Sequence, residues 1–262
     1  MGEPARKMDH QADAKPQVED PLKTTSDVPG IGGVVEGLMR KYRMGVMVAM
    51  LAPIGFLYAF CIGASMTPGV FIVLNIWNLT QDLPIWAQAI CLGLSLGPAF
   101  ILFALTLIFV VPLVNFLLPF RVKPSRGTWF SLVNIPWYYH NALTYLVRYT
   151  VLDFMTPTPL NLMFFRMMGM KIGKGTMINT SNISDPGLIT LGDHVTIGGS
   201  VTLFAHYGMK GYLIVSRTHI DDNTTIGLRA SIFGDVVIGK RCMIPAGTVL
   251  MPKTRIPDKE AA

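Results

Sequence analysis

Two long stretches of the chain carry no charge. The first runs from Met44 to Gln81 and the second from Leu83 to Phe120, with only Asp82 between them. A helix needs ~20 apolar residues to cross a bilayer, so each stretch is long enough for one span with residues left over. The most apolar windows are Gly45–Met66 and Ile85–Leu107, and Pro53, Pro68, Pro98 and Pro112 are expected to kink or end the helices. Residues 1–29 are polar, carry several prolines and show no apolar period, so a disordered tail is expected up to residue 39. The long charged stretch ahead of the first apolar run does not fit a signal peptide.

After the second run the pattern changes. Trp129, Phe130, Trp137, Tyr138, Tyr139, Tyr145 and Tyr149 crowd together within 127–169. Such rings favour the headgroup layer, and the expectation is amphipathic helices on the membrane face, with one over Tyr138–Phe154. His140, Arg148 and Asp153 argue against a third span.

The C-terminal third follows a six-residue period. Ile214, Ile220, Ile226, Ile232, Ile238, Ile244, Leu250 and Ile256 form one unbroken ladder, and Ile172, Ile178, Leu191, Ile197 and Leu203 form an earlier, broken one. Small or β-branched residues stand four positions later, among them Val195, Val201, Thr224, Ala230, Val236 and Cys242. A flat strand alternates with period two and a helix with 3.6. Period six with two inward positions suits a three-sided coil over 170–257, in which stacked coils bury a core that none could bury alone. The ladder breaks between Ile178 and Leu191 and again between Leu203 and Ile214. Stacked coils cannot absorb a phase slip, so a loop must leave the coil at each break. The second loop holds Phe204-Ala205-His206-Tyr207-Gly208-Met209-Lys210-Gly211. A loop on a rigid scaffold is a common home for function.

Charge adds orientation. Only 15% of the 262 residues are charged and the formal net charge is +6; the mean hydropathy is +0.45. Arg40, Lys41 and Arg43 precede the first run, and Arg121, Lys123, Arg126 and Arg148 follow the second. These cations read as membrane-flanking anchors rather than a nucleic-acid surface, and the positive-inside rule places both termini and the β domain in the cytoplasm. Cys61, Cys91 and Cys242 have no zinc or disulfide spacing, so free thiols are expected.

The run Ile226-Gly227, Ile238-Gly239, Ile244-Pro245-Ala246-Gly247-Thr248-Val249 and Ile256-Pro257 resembles the hexapeptide-repeat acyltransferases, whose fold is a left-handed parallel β-helix. The two spans, Trp137–Tyr149, Arg166–Gly173 and Asp185–Asp193 together resemble the C-terminal membrane unit of ε-poly-lysine-synthetase-type nonribosomal peptide synthetases. That region holds three such units, so the resemblance implies a homotrimer here. The fold class implied is a membrane protein: an α-helical hairpin followed by an all-β left-handed β-helix.

The resemblance also implies chemistry. Acyltransferases of this fold use a histidine as general base, which removes a proton from an acceptor hydroxyl or amine as it attacks a thioester. His206 matches that base best and His219 is the second candidate. Asp185 and Asp193 are candidates for orienting a substrate or a histidine, although such Asp residues more often bond a turn. Tyr207, Lys210 and Arg217 are candidates for contacting substrate, the two cations through a coenzyme A phosphate. The co-substrate expected is acyl-CoA or a carrier-protein thioester, with no tightly bound cofactor and no metal. His194, His206 and His219 are twelve and thirteen residues apart and lack the spacing of the γ-carbonic anhydrase zinc ligands. Expected partners are membrane lipid, further copies of the chain, and a carrier protein or larger membrane assembly. Three functions stand open: an acyl or aminoacyl transferase, a non-catalytic β-helix scaffold in a membrane complex, and a γ-carbonic-anhydrase-like enzyme.

Overall fold

A computed structural model describes residues 23–26 and 28–259. The N-terminal tail expected over 1–39 lies partly outside these residues. Within them, Ile31–Lys41 is a helix, α1, rather than tail. Its Glu36 and Arg40, one turn apart, form a buried 2.6 Å ion pair that supports the helix.

Two long helices follow, α2 (Arg43–Leu79) and α3 (Ile85–Leu117). Both are long and apolar enough to cross a membrane. The four internal prolines are accommodated inside these helices and do not end them. Two contacts set how the pair packs. A Cβ on Gly69 would lie 2.8 Å from the Ala99 carbonyl oxygen, so the backbones touch where only glycine fits. Nearer the other end, Leu107, Ile108 and Val111 of α3 are fully buried.

The segment 127–169 does not lie free on a surface. A strand, β1 (Ser125–Thr128), leads into α4 (Ile135–Val147), one π-turn over Arg148–Leu152, and α5 (Pro159–Met167). Thr158 caps α5, its hydroxyl accepting from the Leu160 N–H. Leu143, Leu146, Val147, Phe164 and Phe165 are buried in one core that runs from Cys61 of α2 into the β domain. The apolar faces of these two helices pack against protein. Polar bonds reinforce the joint. Arg148, read from sequence as a membrane anchor, donates to Asn182 Oδ1 at 2.5 Å, and Asn161 Nδ2 donates to the Ile178 carbonyl at 2.8 Å.

The β domain is a three-sided parallel coil. One face stacks β2 (Lys171–Ile172), β4 (Ile189–Leu191), β9 (Thr218–Ile220), β12 (Val237–Ile238) and β15 (Arg255–Ile256). The second stacks β3 (Met177–Ile178), β5 (Thr196–Ile197), β10 (Thr225–Ile226) and β13 (Met243–Ile244). The third stacks β6 (Thr202–Leu203), β11 (Ser231–Ile232) and β14 (Val249–Leu250), with Ile183 bridging to Leu203. The aliphatic ladder is the register itself: Ile178, Ile197, Ile226 and Ile244 lie in line on the second face. The small companions also point inward. Thr224 is fully buried and donates to the Gly239 carbonyl at 2.7 Å while accepting from the Cys242 N–H. A buried hydroxyl is thereby satisfied between coils.

Ile214 is not part of this ladder. It lies in β8 (Tyr212–Val215), which pairs antiparallel with β7 (His206–Met209) and with β1. The chain leaves the coil at Ala205 and returns at Ser216, where the Ser216 N–H donates to the Ala205 carbonyl at 2.8 Å. The extruded loop is therefore a hairpin. Its two-residue turn, Lys210 (φ 50°) and Gly211 (φ 83°), has both residues in the left-handed region that such hairpins require.

The ladder carries a quantitative expectation. Ile226 is fully buried at the centre of the second face. Ile226→Ala is expected to lower stability by ~2–5 kcal/mol through lost burial and a residual cavity. Chemical unfolding of detergent-solubilised protein followed by β-sheet circular dichroism measures it.

Candidate active site

Both breaks in the ladder fall at the corner between the third and first faces. The earlier one follows Ile183 and holds Asp185 in the left-handed region (φ 57°), then a short 3-10 turn over Pro186–Leu188. Aspartate tolerates this conformation better than most side chains. The later one follows β6 and begins the β7–β8 hairpin at His206. Because coils stack in register, loops expelled at one corner meet.

The result is a buried pair. His206 Nδ1 lies 2.5 Å from Asp185 Oδ2. The Asp185 side chain is 0% exposed and that of His206 is 16% exposed. The same carboxylate oxygen accepts from the Ala205 N–H at 3.2 Å, which ties the two breaks together through the backbone. A carboxylate accepts, so Nδ1 of His206 donates, and in the neutral imidazole Nε2 carries the lone pair. Phe204 stacks on the imidazole (ring centroids 5.2 Å apart, 22° between planes), and Trp137 of α4 meets it edge-on at 4.9 Å. Gly234 lines the same corner: a Cβ there would fall 2.8 Å from Ala205 C and His206 N, so the next coil can approach only as glycine.

The segment leaving α3 packs beside this pair. β1 begins eight residues after α3 ends, and its register with β8 runs from Ser125 opposite Val215 to Thr128 opposite Tyr212. Arg126, read from sequence as a membrane anchor, lays its guanidinium 4.8 Å over the Tyr212 ring. On α4, Trp137, His140, Asn141 and Thr144 recur at helical spacing, and Tyr145 follows. Tyr145 reaches Ser184, whose hydroxyl lies 3.0 Å from its own. His140 is 7% exposed, and its Nδ1 pairs with Asn115 Oδ1 of α3 at 2.9 Å. Burial pushes the His140 imidazole below its usual pKa; the Asp185 charge opposes this and Arg121 adds to it.

The other predicted residues sit elsewhere. Asp193 is exposed at the corner between the first and second faces, a different corner from His206. It bonds a turn: its Oδ1 accepts from the Lys174 N–H at 2.7 Å, and its own N–H donates to Asp222 Oδ1 at 2.9 Å. That N–H, with Lys240, holds the Asp222 carboxyl below the usual carboxylate range. His219 stands in the middle of the first face, between Thr190 and Val237 in register, with Nε2 3.9 Å from Asp221 Oδ2. Tyr207 neighbours His206 in β7 but is buried, which pushes its phenol pKa up and keeps it protonated. Lys210 is exposed at the hairpin turn and Arg217 is exposed just after it. Of the predicted residues the structure thus brings together Asp185 and His206. It adds Trp137, which the sequence grouped only among the aromatics of 127–169, and Phe204, which it placed only at the start of the second loop.

No protein-family model matches the chain. One curated relative is the delta-poly-L-ornithine synthetase of Acinetobacter baumannii (strain AB307-0294), 30% identical over 103 residues, which is 39% of this chain and 8% of the synthetase. Another is the mitochondrial gamma carbonic anhydrase 2 of Arabidopsis thaliana, 30% identical over 95 residues, 35% of this chain and 30% of that protein. In its six-residue ladder and three-sided parallel coil the β domain resembles the hexapeptide-repeat proteins. The chain spans less than a third of the length of either relative. Among solved structures, serine acetyltransferase of Neisseria gonorrhoeae in complex with serine is 17% identical, with a TM-score of 0.28 over 78% of this chain and 92% of that one. Serine acetyltransferase 1 of Entamoeba histolytica in complex with L-cysteine is 14% identical, with a TM-score of 0.27 over 74% and 73%.

His140 gives the site a pH signature. Its folded pKa lies below the unfolded value of 6.5. The unfolded chain therefore binds more protons just below that pH. The contribution is whole above about 6.5 and is lost as pH falls from there to the depressed folded value. The thermal midpoint is expected to drop between pH 7.5 and 5, and His140→Gln to flatten that drop; parallel curves for the two proteins would contradict it.

Proposed function

We propose that the chain is a membrane-anchored transferase that moves an acyl or aminoacyl group from a thioester to an amine or hydroxyl at the cytoplasmic membrane face. The observation that carries this is the Asp185–His206 pair. Nε2 of His206 accepts the proton of the attacking amine or hydroxyl. Asp185 fixes the tautomer and stabilises the imidazolium that forms. The acceptor's nitrogen or oxygen bonds to the thioester carbonyl carbon, the carbon–sulfur bond breaks, and the thiolate leaves with the proton that His206 has carried. Phe204 and Trp137 restrict the ring to one orientation and keep water from its faces.

The similarity to a poly-ornithine synthetase supports an aminoacyl or peptidyl donor, and the co-substrate is then coenzyme A or a carrier-protein thioester. The two apolar helices support the membrane setting: their exposed side chains include Phe56, Phe60, Phe71, Leu74, Leu94 and Ile101. An exposed surface of this kind is stable in lipid and costly in water. The resemblance to hexapeptide-repeat acyltransferases supports a homotrimer, with acceptor and thioester meeting between neighbouring copies.

A second reading rests on the similarity to a γ-carbonic anhydrase. There His206 would offer Nε2 to a zinc ion shared with histidines of other copies. Metal analysis of the purified protein decides between them: stoichiometric zinc supports the second reading and its absence the first.

Activity tests the transferase directly. Thiol release from acetyl-CoA or an aminoacyl thioester, in the presence of primary amines or hydroxyl acceptors, is expected to fall ~10²–10⁴-fold in kcat for His206→Ala. Asp185→Asn is expected to lower kcat while changing KM little, because it alters the base and not the binding surface. Unchanged turnover in His206→Ala with an intact oligomer would favour a scaffold.

A further inference from the structure

His140 has a second nitrogen that nothing in the site uses. The Asn115 carbonyl oxygen can only accept, so Nδ1 of His140 donates to it and Nε2 presents a lone pair. Nε2 is buried and has no hydrogen-bond partner among the described residues. An unmet buried acceptor costs ~1–3 kcal/mol, so a group that donates to it would be favoured there.

A cavity of about 280 Å³ lies against this histidine. Phe116, Leu118, Phe120, Met167 and Met168 supply apolar parts of its wall. Arg121 lines it as well, and its guanidinium donates to the carbonyls of Phe116, Leu118 and Phe120. A guanidinium has five N–H groups, so these three bonds leave donors to spare. No carboxylate pairs with Arg121 among the described residues. The volume is near the small end of the ~300–1,000 Å³ range of ligand sites, which suits a headgroup and excludes a nucleotide cofactor.

The position fixes what kind of molecule arrives. α3 has 33 residues and is ~50 Å long. At the usual tilt of ~20° it covers the ~40–45 Å of a bilayer with its headgroups. Leu113, Phe116 and Leu117 in its last turns are exposed. Arg121 then stands at headgroup depth, with apolar surface above it.

We infer that this cavity seats the headgroup of an anionic, glycerol-type phospholipid, with its phosphate on Arg121 and a headgroup hydroxyl donating to Nε2 of His140. A choline headgroup has no donor to offer. An ethanolamine ammonium would meet the positive field of Arg121. Burial keeps His140 neutral and hence an acceptor at neutral pH. The inference rests on the membrane reading of α2 and α3 and is independent of the transfer chemistry.

The test uses the full chain, first fractionated and then purified in a neutral detergent. Thermal midpoints are measured with added phosphatidylglycerol, phosphatidylcholine or glycerol 3-phosphate, and retained lipid is identified by mass spectrometry. Phosphatidylglycerol is expected to be retained and to raise the midpoint by several degrees more than phosphatidylcholine, with no shift from glycerol 3-phosphate. His140→Phe and Arg121→Gln are each expected to remove most of that selectivity. Equal shifts from the two lipids, or selectivity intact in both variants, would overturn the inference. A shift reproduced by glycerol 3-phosphate would identify a soluble phosphate ligand and overturn the lipid. If the chain leaves the membrane fraction, the membrane reading falls and this inference with it, while thiol release still judges the transferase.

Discussion

Backbone hydrogen bonds between stacked coils govern this molecule. Each coil donates to and accepts from its neighbours, as where the Thr225 N–H bonds the Cys242 carbonyl and the Thr196 N–H bonds that of Thr224, both at 2.9 Å. Those bonds demand a fixed phase. A coil with extra residues keeps its bonds only by expelling the surplus at a corner. Two successive expulsions at one corner put Asp185 beside His206, twenty-one residues away in sequence. A regular coil would have offered only exposed side chains in register.

The second constraint is the joint between the helical part and the β domain. A β-helix has an open end whose core and backbone need cover. Here α4 and α5 supply it, so the chain shares one core from α2 through the coil. The same helices carry polar groups inward. Trp137 Nε1, His140 Nε2 and Asp185 Oδ1 are all buried without a partner among the described residues. Buried polar atoms left unpaired are costly and are retained mainly where function needs them. These unpaired atoms distinguish the joint from simple apolar packing.

Several features were legible residue by residue. Ile220 to Ile256 predicted the coil because a six-residue period has no other common explanation. The two uncharged runs predicted the long helices, and the misfit after Leu203 located the loop that starts at His206. Other readings failed for identifiable reasons. Ile214 matched the period by coincidence: a hairpin strand also carries inward aliphatics, and only pairing with β1 reveals it. Arg126 and Arg148 looked like membrane anchors because sequence shows proximity to apolar runs but not the tyrosine rings and the Asn182 amide they meet. The α4 stripe of Trp137, His140, Asn141 and Thr144 was readable as a polar face, yet it was masked by the surrounding aromatics.

By itself, then, the sequence determined the elements whose signal is periodic and local: two long apolar helices and a three-sided coil with two interruptions. Tertiary structure alone decided that the two interruptions share a corner, that the interruption is a hairpin clamped by the segment leaving α3, and that α4 caps the coil. The reason is physical. Periodicity records which side of an element is buried, whereas a buried Asp–His pair depends on how distant loops are brought into register by the hydrogen bonds between coils.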